Sequence, residues 1–487
     1  MIIKTNWKLN TKNDFELVSI ENQENNSILT MQEMLFADNV YYVDNLSRFG
    51  VYFMQFLLKN KYKCVIDLKE LKNARTFFTT MHAGECNSFL VHTDNGTTIR
   101  LLNFTKKFGV DFADYAQNQL LVDYAQSMHR FGNSLGADAY DELLATIWKY
   151  KNDSIINREL MRRHYPVIND KTLTTAKKYT SGVQLFKRGK YYNVFHYDQQ
   201  SAYPSQLLSC TPTGKPIYSY KNLENIPKTY WYVVKIAFFN LKLNSKYDWL
   251  CLHKTNGYLV LTKELYALFL ETYAADIIIK EIIAFKTIKG RFDRFIKQNV
   301  VDGKIHAKTP VIAKYNKYIA NAVIGYFGRN TNQNINNFTW KKGKCIVKQH
   351  KHAIDPIYLP IYLFVQGKQK AEFIRTLNRT DGVIYANTDG FFTEQQVSIE
   401  KLNARFTDDL GAYKCKCEYA ELYVNSINGY VGITTYGEVD NCLAGMSMSS
   451  LIYPEQYEQQ QFTYHIDQAT EQLVIHRTIV GQQRKQP

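Results

Sequence analysis

Residues 197–204 read Tyr-Asp-Gln-Gln-Ser-Ala-Tyr-Pro, and they follow the alternating stretch 192–197, which predicts a β-strand. Asp198 therefore lies at the end of a predicted aromatic strand, directly before a predicted turn. A second aspartate has a similar setting, because Asp389 ends the sequence Tyr-Ala-Asn-Thr-Asp at 385–389, between short apolar runs. Asparagine and Asp-Gly favour tight turns, so this segment predicts a β-hairpin. Either aspartate alone is more often a turn or cap residue than a functional one.

A basic helix is predicted between the two aspartates. Residues 309–327 form a long helical run that holds Lys314, Lys317 and Asn321. Residues three or four apart lie on one face of a helix, so these polar side chains share a face. Nucleotidyl transfer needs two divalent cations about 4 Å apart, held by carboxylates and substrate phosphates. The two aspartates and this basic face supply suitable groups, although a merely solvated helix face would have the same pattern.

The order and spacing of these segments resemble the protein-primed branch of the family B DNA polymerases. Residues 198–204 resemble motif A, Asp-x-x-Ser-Leu-Tyr-Pro, with Ala202 in place of leucine. Residues 317–325 resemble motif B, Lys-x-x-x-Asn-Ser-x-Tyr-Gly, and residues 385–389 resemble motif C, Tyr-x-Asp-Thr-Asp. Residues 179–182, Tyr-Thr-Ser-Gly, resemble the linker motif Tyr-x-Gly-Gly. Each motif is weak alone, and the ordered set is specific.

The resemblance covers nearly the whole chain and implies its architecture. The intervals of 119 residues from Asp198 to Lys317 and 72 from Lys317 to Asp389 are close to those of the branch and leave room for its two insertions. We expect an α+β and α/β multidomain protein, in which an RNase H-like exonuclease domain precedes a right-hand polymerase of palm, fingers and thumb. The expected parts are a degenerate 3′–5′ exonuclease-like domain at 1–175 and a polymerase domain at 176–487, with insertions at about 205–305 and 329–360, fingers at about 306–328 and a thumb at about 430–487.

The resemblance also implies roles for individual residues. Asp198 and Asp389 would hold two Mg²⁺ ions, or Mn²⁺ in their place, with the backbone carbonyl of Gln199 as a further ligand. The residues implied to bind the nucleotide are Gln199, Tyr203, Lys314, Lys317 and Asn321. The residues implied to bind DNA are Tyr179, Gly182, Thr388 and Tyr430. The implied partners are template and primer DNA, deoxynucleotides and a terminal priming protein, and the implied state is a monomer.

Several positions depart from the family pattern. Motif C has Asn387 where aspartate is usual, and motif B has Ile324 where a nucleotide-facing tyrosine stands, with Tyr326 two residues later. A later Lys-x-Tyr motif has Asn428 in place of its lysine, and Ser181 replaces one linker glycine. These departures put the efficiency of the reaction in doubt rather than the fold.

The proofreading carboxylates of the family are largely absent from the N-terminal part. The exonuclease motif Asn-Leu-x-Phe-Asp resembles residues 45–49, and in that register Phe49 replaces the aspartate. The first exonuclease motif should fall near residues 6–8, Asn-Trp-Lys, which contain no acid. Asp123 fits the third motif, but Gln119 stands where its tyrosine partner is expected. We therefore expect exonuclease activity to be lost, unless an acid outside these registers compensates.

Composition agrees with a nucleic-acid partner. The 487 residues include 60 Lys and Arg against 45 Asp and Glu, a formal charge of +15, which favours a polyanionic partner through counterion release. The N-terminus lacks the apolar core of a signal peptide, and no run approaches the roughly 20 apolar residues of a membrane helix. The eight cysteines show no metal-binding spacing, since Cys415 and Cys417 are too close for a zinc knuckle. Free thiols in a reducing cytoplasm are therefore expected, with no membrane partner.

Three functions remain compatible with these observations. The first is an active, strand-displacing DNA polymerase that starts from a protein-borne hydroxyl and replicates a linear viral or plasmid genome. The second is a polymerase-fold DNA-binding protein that is catalytically weak or silent. The departures in motif B and in the Lys-x-Tyr motif favour this function. The third is a nuclease, which the missing N-terminal carboxylates disfavour. Retention of both Asp198 and Asp389 favours the first function, because a silent palm has no use for two paired carboxylates.

Overall fold

A computed structural model describes the chain except residues 10–14, 36–38, 67–69, 72, 83–84, 129, 131–134, 149–153, 252–253, 330–331, 342–343, 354–357, 404–409, 427–428, 444–459, 468–471 and 480–487. The described residues form three larger β-sheets, two separate hairpins and helices that pack on them. Within these residues, no helix combines the length and the apolar character that crossing a bilayer requires.

The elements are numbered in chain order. The strands are β1 (Ile2–Leu9), β2 (Phe15–Asn22), β3 (Ser27–Leu29), β4 (Val40–Val43), β5 (Lys63–Cys64), β6 (Thr76–His82), β7 (Glu85–His92), β8 (Thr98–Asn103), β9 (Gln184–Phe186), β10 (Gly189–Gln199), β11 (Thr211–Ile217), β12 (Trp231–Leu243), β13 (Gly257–Thr262), β14 (Tyr273–Ile288), β15 (Asn332–Lys341), β16 (Lys344–Ala353), β17 (Val383–Asn387), β18 (Gly390–Thr393), β19 (Tyr413–Ser426), β20 (Gly429–Thr434), β21 (Val439–Leu443), β22 (Gln460–Asp467) and β23 (Gln472–Ile479). The helices are α1 (Leu46–Lys59), α2 (Phe104–Phe108), α3 (Tyr115–Ser127), α4 (Leu135–Trp148), α5 (Ser154–His164), α6 (Lys171–Ala176), α7 (Ala202–Gln206), α8 (Lys263–Thr272), α9 (Asp293–Ile296), a π-helix (Lys297–Ile305), α10 (Pro310–Phe327), α11 (Leu359–Arg379) and α12 (Ile399–Asn403).

The N-terminal sheet is mixed and has the strand order β3-β2-β1-β4-β8-β7-β6-β5. Strand β4 lies parallel to β1 and to β8, whereas β1–β2 and β6–β7–β8 are antiparallel. Helix α1 packs on this sheet and begins where the Asn45 side chain accepts a hydrogen bond from the backbone N–H of Arg48. Phe49, Phe53 and Leu57 lie on its buried face and are fully enclosed by the core.

The central sheet is antiparallel throughout and has the order β21-β20-β19-β10-β18-β17-β9. Side chains alternate between its two faces along each strand. Tyr197 and Phe391 enter a core with Phe373 of α11 on one face. Phe392, with Tyr430 and other aromatic residues, forms a separate cluster on the opposite face. Both faces of the sheet are therefore packed, which holds its strand ends rigidly.

A third sheet lies between motifs A and B. Its antiparallel strands have the order β11-β14-β12-β13, and helix α8 packs on it together with part of α11. Helix α8 begins at Thr262, whose hydroxyl accepts a hydrogen bond from the backbone N–H of Leu265. The sheet is followed by α9 and the π-helix; Phe292 directly before α9, Phe295 within it and Val300 in the π-helix are fully buried. Phe292 and Phe295, which lie within the basic sequence Lys-Gly-Arg-Phe-Asp-Arg-Phe-Ile-Lys at 289–297, thus belong to the hydrophobic core.

Helix α10 confirms the helix predicted over 309–327. The Thr309 hydroxyl accepts a hydrogen bond from the backbone N–H of Ile312, and Pro310 occupies the first turn, where its missing N–H costs nothing. The predicted hairpin around Asn387 is also confirmed, as strands β17 and β18. The apolar side of α10 packs against α4, the π-helix and α11.

Strands β15 and β16 form a long hairpin in the predicted second insertion. Its strand β15 packs against α1, β5 and β6 of the N-terminal domain. Phe338 is 5% exposed and belongs to the core of that domain. The two strands of the hairpin therefore run between the end of α10 and the N-terminal sheet, and residues 342–343 lie outside the described residues.

Arg130 joins the N-terminal helices to the π-helix and α10. Its Nε donates to Glu142 Oε2 at 2.6 Å, and one of its terminal nitrogens donates to Asn299 Oδ1 at 2.7 Å and to Asn316 Oδ1 at 3.0 Å. The guanidinium also lies over the ring of Tyr315 at 4.9 Å from its centroid. Its side chain is fully buried, so this network fixes one geometry among segments that are distant in sequence.

Candidate active site

The two motif aspartates lie at adjacent strand ends of the central sheet. Asp198 is the penultimate residue of β10 and pairs with Gly390 of β18. Asp389 lies in the turn between β17 and β18, where Thr388 adopts a left-handed φ of 64°. The backbone N–H of Gln199 donates to the Asp389 carbonyl at 3.2 Å, which ties the turn to β10. A Cβ on Gly390 would lie 3.2 Å from Asp198 Oδ1, so glycine leaves room for the carboxylate.

Both aspartates line one cavity of about 790 Å³. Helix α10 contributes one wall and the π-helix and β19 contribute others. The predicted site residues that line the cavity are Asp198, Gln199, Tyr203, Lys317, Asn321 and Asp389. Motifs A, B and C therefore line the same cavity, although Asp198 and Asp389 are 191 positions apart in the sequence.

Burial sets the electrostatics of the aspartate pair. Burial, and to a smaller extent the nearby Asp198 carboxylate, raise the pKa of Asp389 to about 7 against the opposing effect of Lys317 and Lys304. Burial likewise raises the pKa of Asp198, while Lys416, Lys317 and Lys304 act to lower it. The two carboxylates thus lack full charge compensation within the chain, as expected for groups that accept cations.

Three lysines of the cavity have no place in the motifs. Lys304 comes from the π-helix and donates to Ser201 Oγ at 2.7 Å. Lys414 and Lys416 come from β19, where Lys414 lies opposite Asp198. Lys414 and Lys416 could have been recognised as two lysines on one face of a strand, but the sequence around Lys304 carries no comparable signal.

Other nucleotide-site candidates lie outside this cavity. Lys314 is exposed on α10, about one turn before Lys317, and does not line the cavity. Ile324 is buried in the core, and the ring of Tyr326 stacks on Tyr140 of α4 at 4.2 Å between centroids. Tyr326 therefore does not take the position of the missing motif B tyrosine in this structure.

The linker motif contacts the motif C turn. A Cβ on Gly182 would lie 3.1 Å from Thr388 Oγ1, and the Thr388 N–H donates to the neighbouring Val183 carbonyl at 2.8 Å. The Tyr179 carbonyl accepts a hydrogen bond from Lys370 Nζ at 2.9 Å, which anchors the linker to α11. Gly182 and Thr388 thus lie together beside Asp389.

Tyr430 and Asn387, two further candidates from the polymerase motifs, do not line the cavity. Tyr430 is 8% exposed and packs edge-to-face on Phe392 at 4.9 Å in the aromatic cluster of the central sheet. Asn428 lies outside the described residues. Asn387 accepts a hydrogen bond from the Thr388 hydroxyl at 3.0 Å and does not line the cavity.

The N-terminal exonuclease candidates are not gathered into a site. Phe49 is fully buried in the core, and Asn6 donates to Ser19 Oγ at 2.9 Å on the sheet surface. Asp123 is exposed and accepts a hydrogen bond from Gln119 at 2.7 Å. Among the described N-terminal residues, no three metal-ligating side chains converge.

The sequence matches no protein-family model and no curated protein. It is nevertheless similar in structure to Phi29 DNA polymerase. The ternary complex of that enzyme with primer-template DNA and incoming nucleotides aligns at a TM-score of 0.74 and 16% identity, over 98% of both chains. Its post-translocation binary complex with primer-template DNA aligns at 0.75 and 16%, over 98% of both chains, and its complex with single-stranded DNA at 0.73 and 17%, over 93% of both.

The likeness establishes the fold. The chain has the fold of a protein-primed family B DNA polymerase over nearly its whole length, and the predicted α+β multidomain architecture is confirmed. The cavity that holds Asp198 and Asp389 lies beside α10, where β10 ends and β17 turns into β18.

Proposed function

We propose that this chain, with the fold of Phi29 DNA polymerase, is a DNA-templated DNA polymerase whose active site contains Asp198 and Asp389. The observation that carries the proposal is the single cavity in which both carboxylates meet Lys304, Lys317, Lys414 and Lys416. Two buried acids suit metal ions, and four lysines suit a triphosphate and a DNA backbone.

The donor set fits magnesium. Two carboxylates and the Gln199 carbonyl are oxygen ligands, which Mg²⁺ prefers, and the raised pKa of each aspartate indicates buried acids that a cation would stabilise. Bound Mg²⁺ would neutralise charge on the reacting phosphates and the attacking hydroxyl. Mn²⁺ accepts the same ligands.

The chain itself contributes positioning and charge. Lys317 and Lys304 face the two aspartates and would hold the triphosphate, while Asn321, one turn after Lys317, extends the same wall. By its resemblance to the motif A tyrosine, Tyr203 would pack under the incoming sugar, and it lines the same cavity as Asp389. Phosphoryl transfer depends largely on such positioning and electrostatic stabilisation.

We assign the parts of the chain as its sequence predicts. Residues 1–175 form the exonuclease-like domain and 176–487 the polymerase, with the third sheet inside the 205–305 insertion. The β15–β16 hairpin lies within the 329–360 insertion, α10 in the fingers, and residues from about 430 in the thumb. By resemblance, the 205–305 insertion would dock a terminal priming protein.

Primer extension with the purified chain tests the proposed function. We expect Mg²⁺-dependent addition of the templated deoxynucleotide to an annealed primer. A chain that binds primer-template DNA but adds no nucleotide with either Mg²⁺ or Mn²⁺ would instead support the silent, DNA-binding alternative. Transfer of a labelled deoxynucleotide to a protein hydroxyl would test protein priming separately.

Replacing Lys304 by methionine should raise the KM for deoxynucleotides by about tenfold to a hundredfold, because a charged contact contributes about 1.5–3 kcal/mol. Single-nucleotide incorporation measured over a range of deoxynucleotide concentrations gives this value. Lys297→Met is the matched control, since Lys297 is exposed at the other end of the same π-helix. An unchanged KM with weakened DNA binding would place Lys304 on the DNA instead.

We expect little 3′–5′ exonuclease activity. The buried Phe49 replaces a carboxylate, and two-metal hydrolysis needs a complete set of acids. Digestion of labelled single-stranded DNA in the presence of Mg²⁺ measures this activity. Rapid degradation that survives Asp198→Ala would contradict the expectation, because it would require a second metal site.

The β15–β16 hairpin supports the proposal that synthesis is processive and displaces the non-template strand. It bridges the end of α10 and the N-terminal domain through Phe338, so the chain can surround DNA on that side. Enclosure of the template hinders dissociation and forces the other strand aside.

Phe338→Asp should shorten the products on a singly primed circular template and abolish strand displacement, while single-nucleotide addition persists. Burying a carboxylate in an apolar core is unfavourable, so the hairpin should leave the N-terminal domain. Ile346→Asp is the control, because Ile346 is 39% exposed in the same hairpin. Equal product lengths for both variants and the unmodified chain would exclude an enclosing role.

A further inference from the structure

A second group of metal-ligating side chains lies on the central sheet, outside the polymerase cavity. His196 of β10, Cys417 of β19 and Asp440 of β21 each offer a ligand atom, and these atoms all lie within 4.8 Å of one another. His196 and Cys417 are directly opposed in the β10–β19 pairing, with 3.7 Å between Nδ1 and Sγ. His196 precedes Asp198 by two residues and lies on the same face of the sheet.

Neighbouring groups orient the three side chains. The Tyr419 hydroxyl donates to Asp440 Oδ2 at 2.5 Å, which directs the other carboxylate oxygen away from the tyrosine. A Cβ on Gly432 would lie 2.5 Å from the Tyr419 ring, so only glycine permits this approach. The His196 ring packs edge-to-face on Phe392 at 4.4 Å. Such fixed orientation by surrounding groups is typical of metal ligands.

The donor chemistry selects the ion. One imidazole nitrogen, one thiol sulfur and one carboxylate oxygen match the ligands of Zn²⁺. Zn–N and Zn–S bonds of roughly 2.0 and 2.3 Å at a tetrahedral angle place the nitrogen and sulfur about 3.5 Å apart. The observed separation of 3.7 Å is close to that distance. Mg²⁺ prefers oxygen ligands alone, so this group discriminates against the ion expected at the aspartate pair.

We propose that His196, Cys417 and Asp440 bind one Zn²⁺ ion, with the fourth position open to water. Two strands, β20 and β19, separate β21 from β10 in the sheet order. A shared ion would therefore fix how strongly the sheet curves between β10 and β21. It would also hold the β21 edge near Asp198 and Asp389. The site is independent of the proposed polymerase activity and is assayed without it.

Zinc content is the first test. We expect the full chain, loaded with Zn²⁺ and dialysed against Mg²⁺ buffer, to retain one zinc per chain by mass spectrometry of the metal. Cys417→Ser and His196→Gln should retain none, and Asp440→Asn should bind at least about tenfold more weakly. Cys415→Ser is the control, because Cys415 is an exposed neighbour on the same strand. Absence of zinc from the unmodified chain would overturn the proposal.

Cobalt substitution identifies the ligands. A thiolate bound to Co²⁺ gives a charge-transfer band in the near ultraviolet, which an all-oxygen site lacks. The band should persist in Asp389→Asn and in Cys415→Ser and be absent from Cys417→Ser. Loss of the band in Asp389→Asn or Cys415→Ser would show that the ion occupies the polymerase cavity, which Cys415 lines, and would refute the site.

Thiol protection needs no variant and so does not depend on variant folding. Zn²⁺ should slow the alkylation of Cys417 by an electrophilic reagent and leave the alkylation of Cys415 unchanged, as read by peptide mass spectrometry. Equal alkylation of Cys417 with and without Zn²⁺ would overturn the proposal even if every substituted chain failed to fold.

Discussion

Asp389→Asn is expected to lower the rate of nucleotide incorporation by about 1000-fold or more while leaving the affinity for primer-template DNA nearly unchanged. The metal ions of nucleotidyl transfer contribute several kcal/mol of transition-state stabilisation, and about 4 kcal/mol corresponds to a factor of about 1000. DNA affinity depends instead on the basic surface, which this substitution leaves intact. Rapid-quench incorporation and gel-shift titration measure the two quantities. Asp198→Asn should behave in the same way.

Asn387→Ala is the matched control for this prediction. Asn387 ends β17, directly before the same turn, but does not line the cavity, so its replacement should have a much milder effect. Equal losses for Asp198→Asn, Asp389→Asn and Asn387→Ala would show that the metal ligands are misassigned. A loss of DNA affinity equal to the loss of rate would point to general misfolding.

The pKa of Asp389 predicts how the same substitution affects stability. Its pKa in the folded chain is about 7, above the ordinary value of 3.8, so folding favours the protonated carboxyl. The stabilising contribution of that proton is present at low pH and is lost as the pH rises through about 7. That loss begins above the unfolded pKa of 3.8, so without divalent metal Asp389→Asn should raise the melting temperature most at pH 8 and progressively less as the pH falls toward 4. A raised melting temperature would thus show that Asp389→Asn is folded, so that its loss of activity does not come from unfolding.

Arg130→Met is expected to weaken the junction between the N-terminal helices and α10 by about 3–5 kcal/mol, the usual cost of removing one partner of a buried ion pair. Glu142 would keep a buried carboxylate without its cation, and the Asn299 and Asn316 side-chain oxygens would each lose a donor. Hydrogen exchange of α4 and the π-helix measures the free energy of local opening. Because Lys304 lies on that π-helix, the KM for deoxynucleotides should rise as well.

Arg75→Met is the control for Arg130→Met, because it removes an arginine side chain that does not lie at this junction. Arg75 pairs with Asp94 at 2.7 Å, but both side chains are about half exposed, so the pair contributes little. We expect no measurable change in hydrogen exchange or in KM for this variant. Protection of α4 that is unaffected by Arg130→Met would mean that the aromatic contacts alone hold the junction.

The sequence by itself determined the parts of the site that depend on local order. Asp198 and Asp389 follow short strands into turns, and alternating side chains and turn residues specify that arrangement within a few positions. Lys317 and Asn321 share a face because they are four residues apart on one helix. Motif order and spacing then indicated the fold, which the structure bears out.

The tertiary structure decided what depends on pairing between distant segments. Lys304 reaches the cavity through the π-helix, and Arg130 meets Asn316 across 186 positions. His196 faces Cys417 only in the register that β10 and β19 adopt, with an irregularity directly after His196. The cysteine spacing predicted free thiols, and the described cysteines are free of disulfides. Spacing along the chain reports local geometry alone, so it gave no indication that Cys417 lies beside His196 and Asp440. A strand register is set by burial on both faces of the sheet, so these convergences emerge only when the whole sheet is packed.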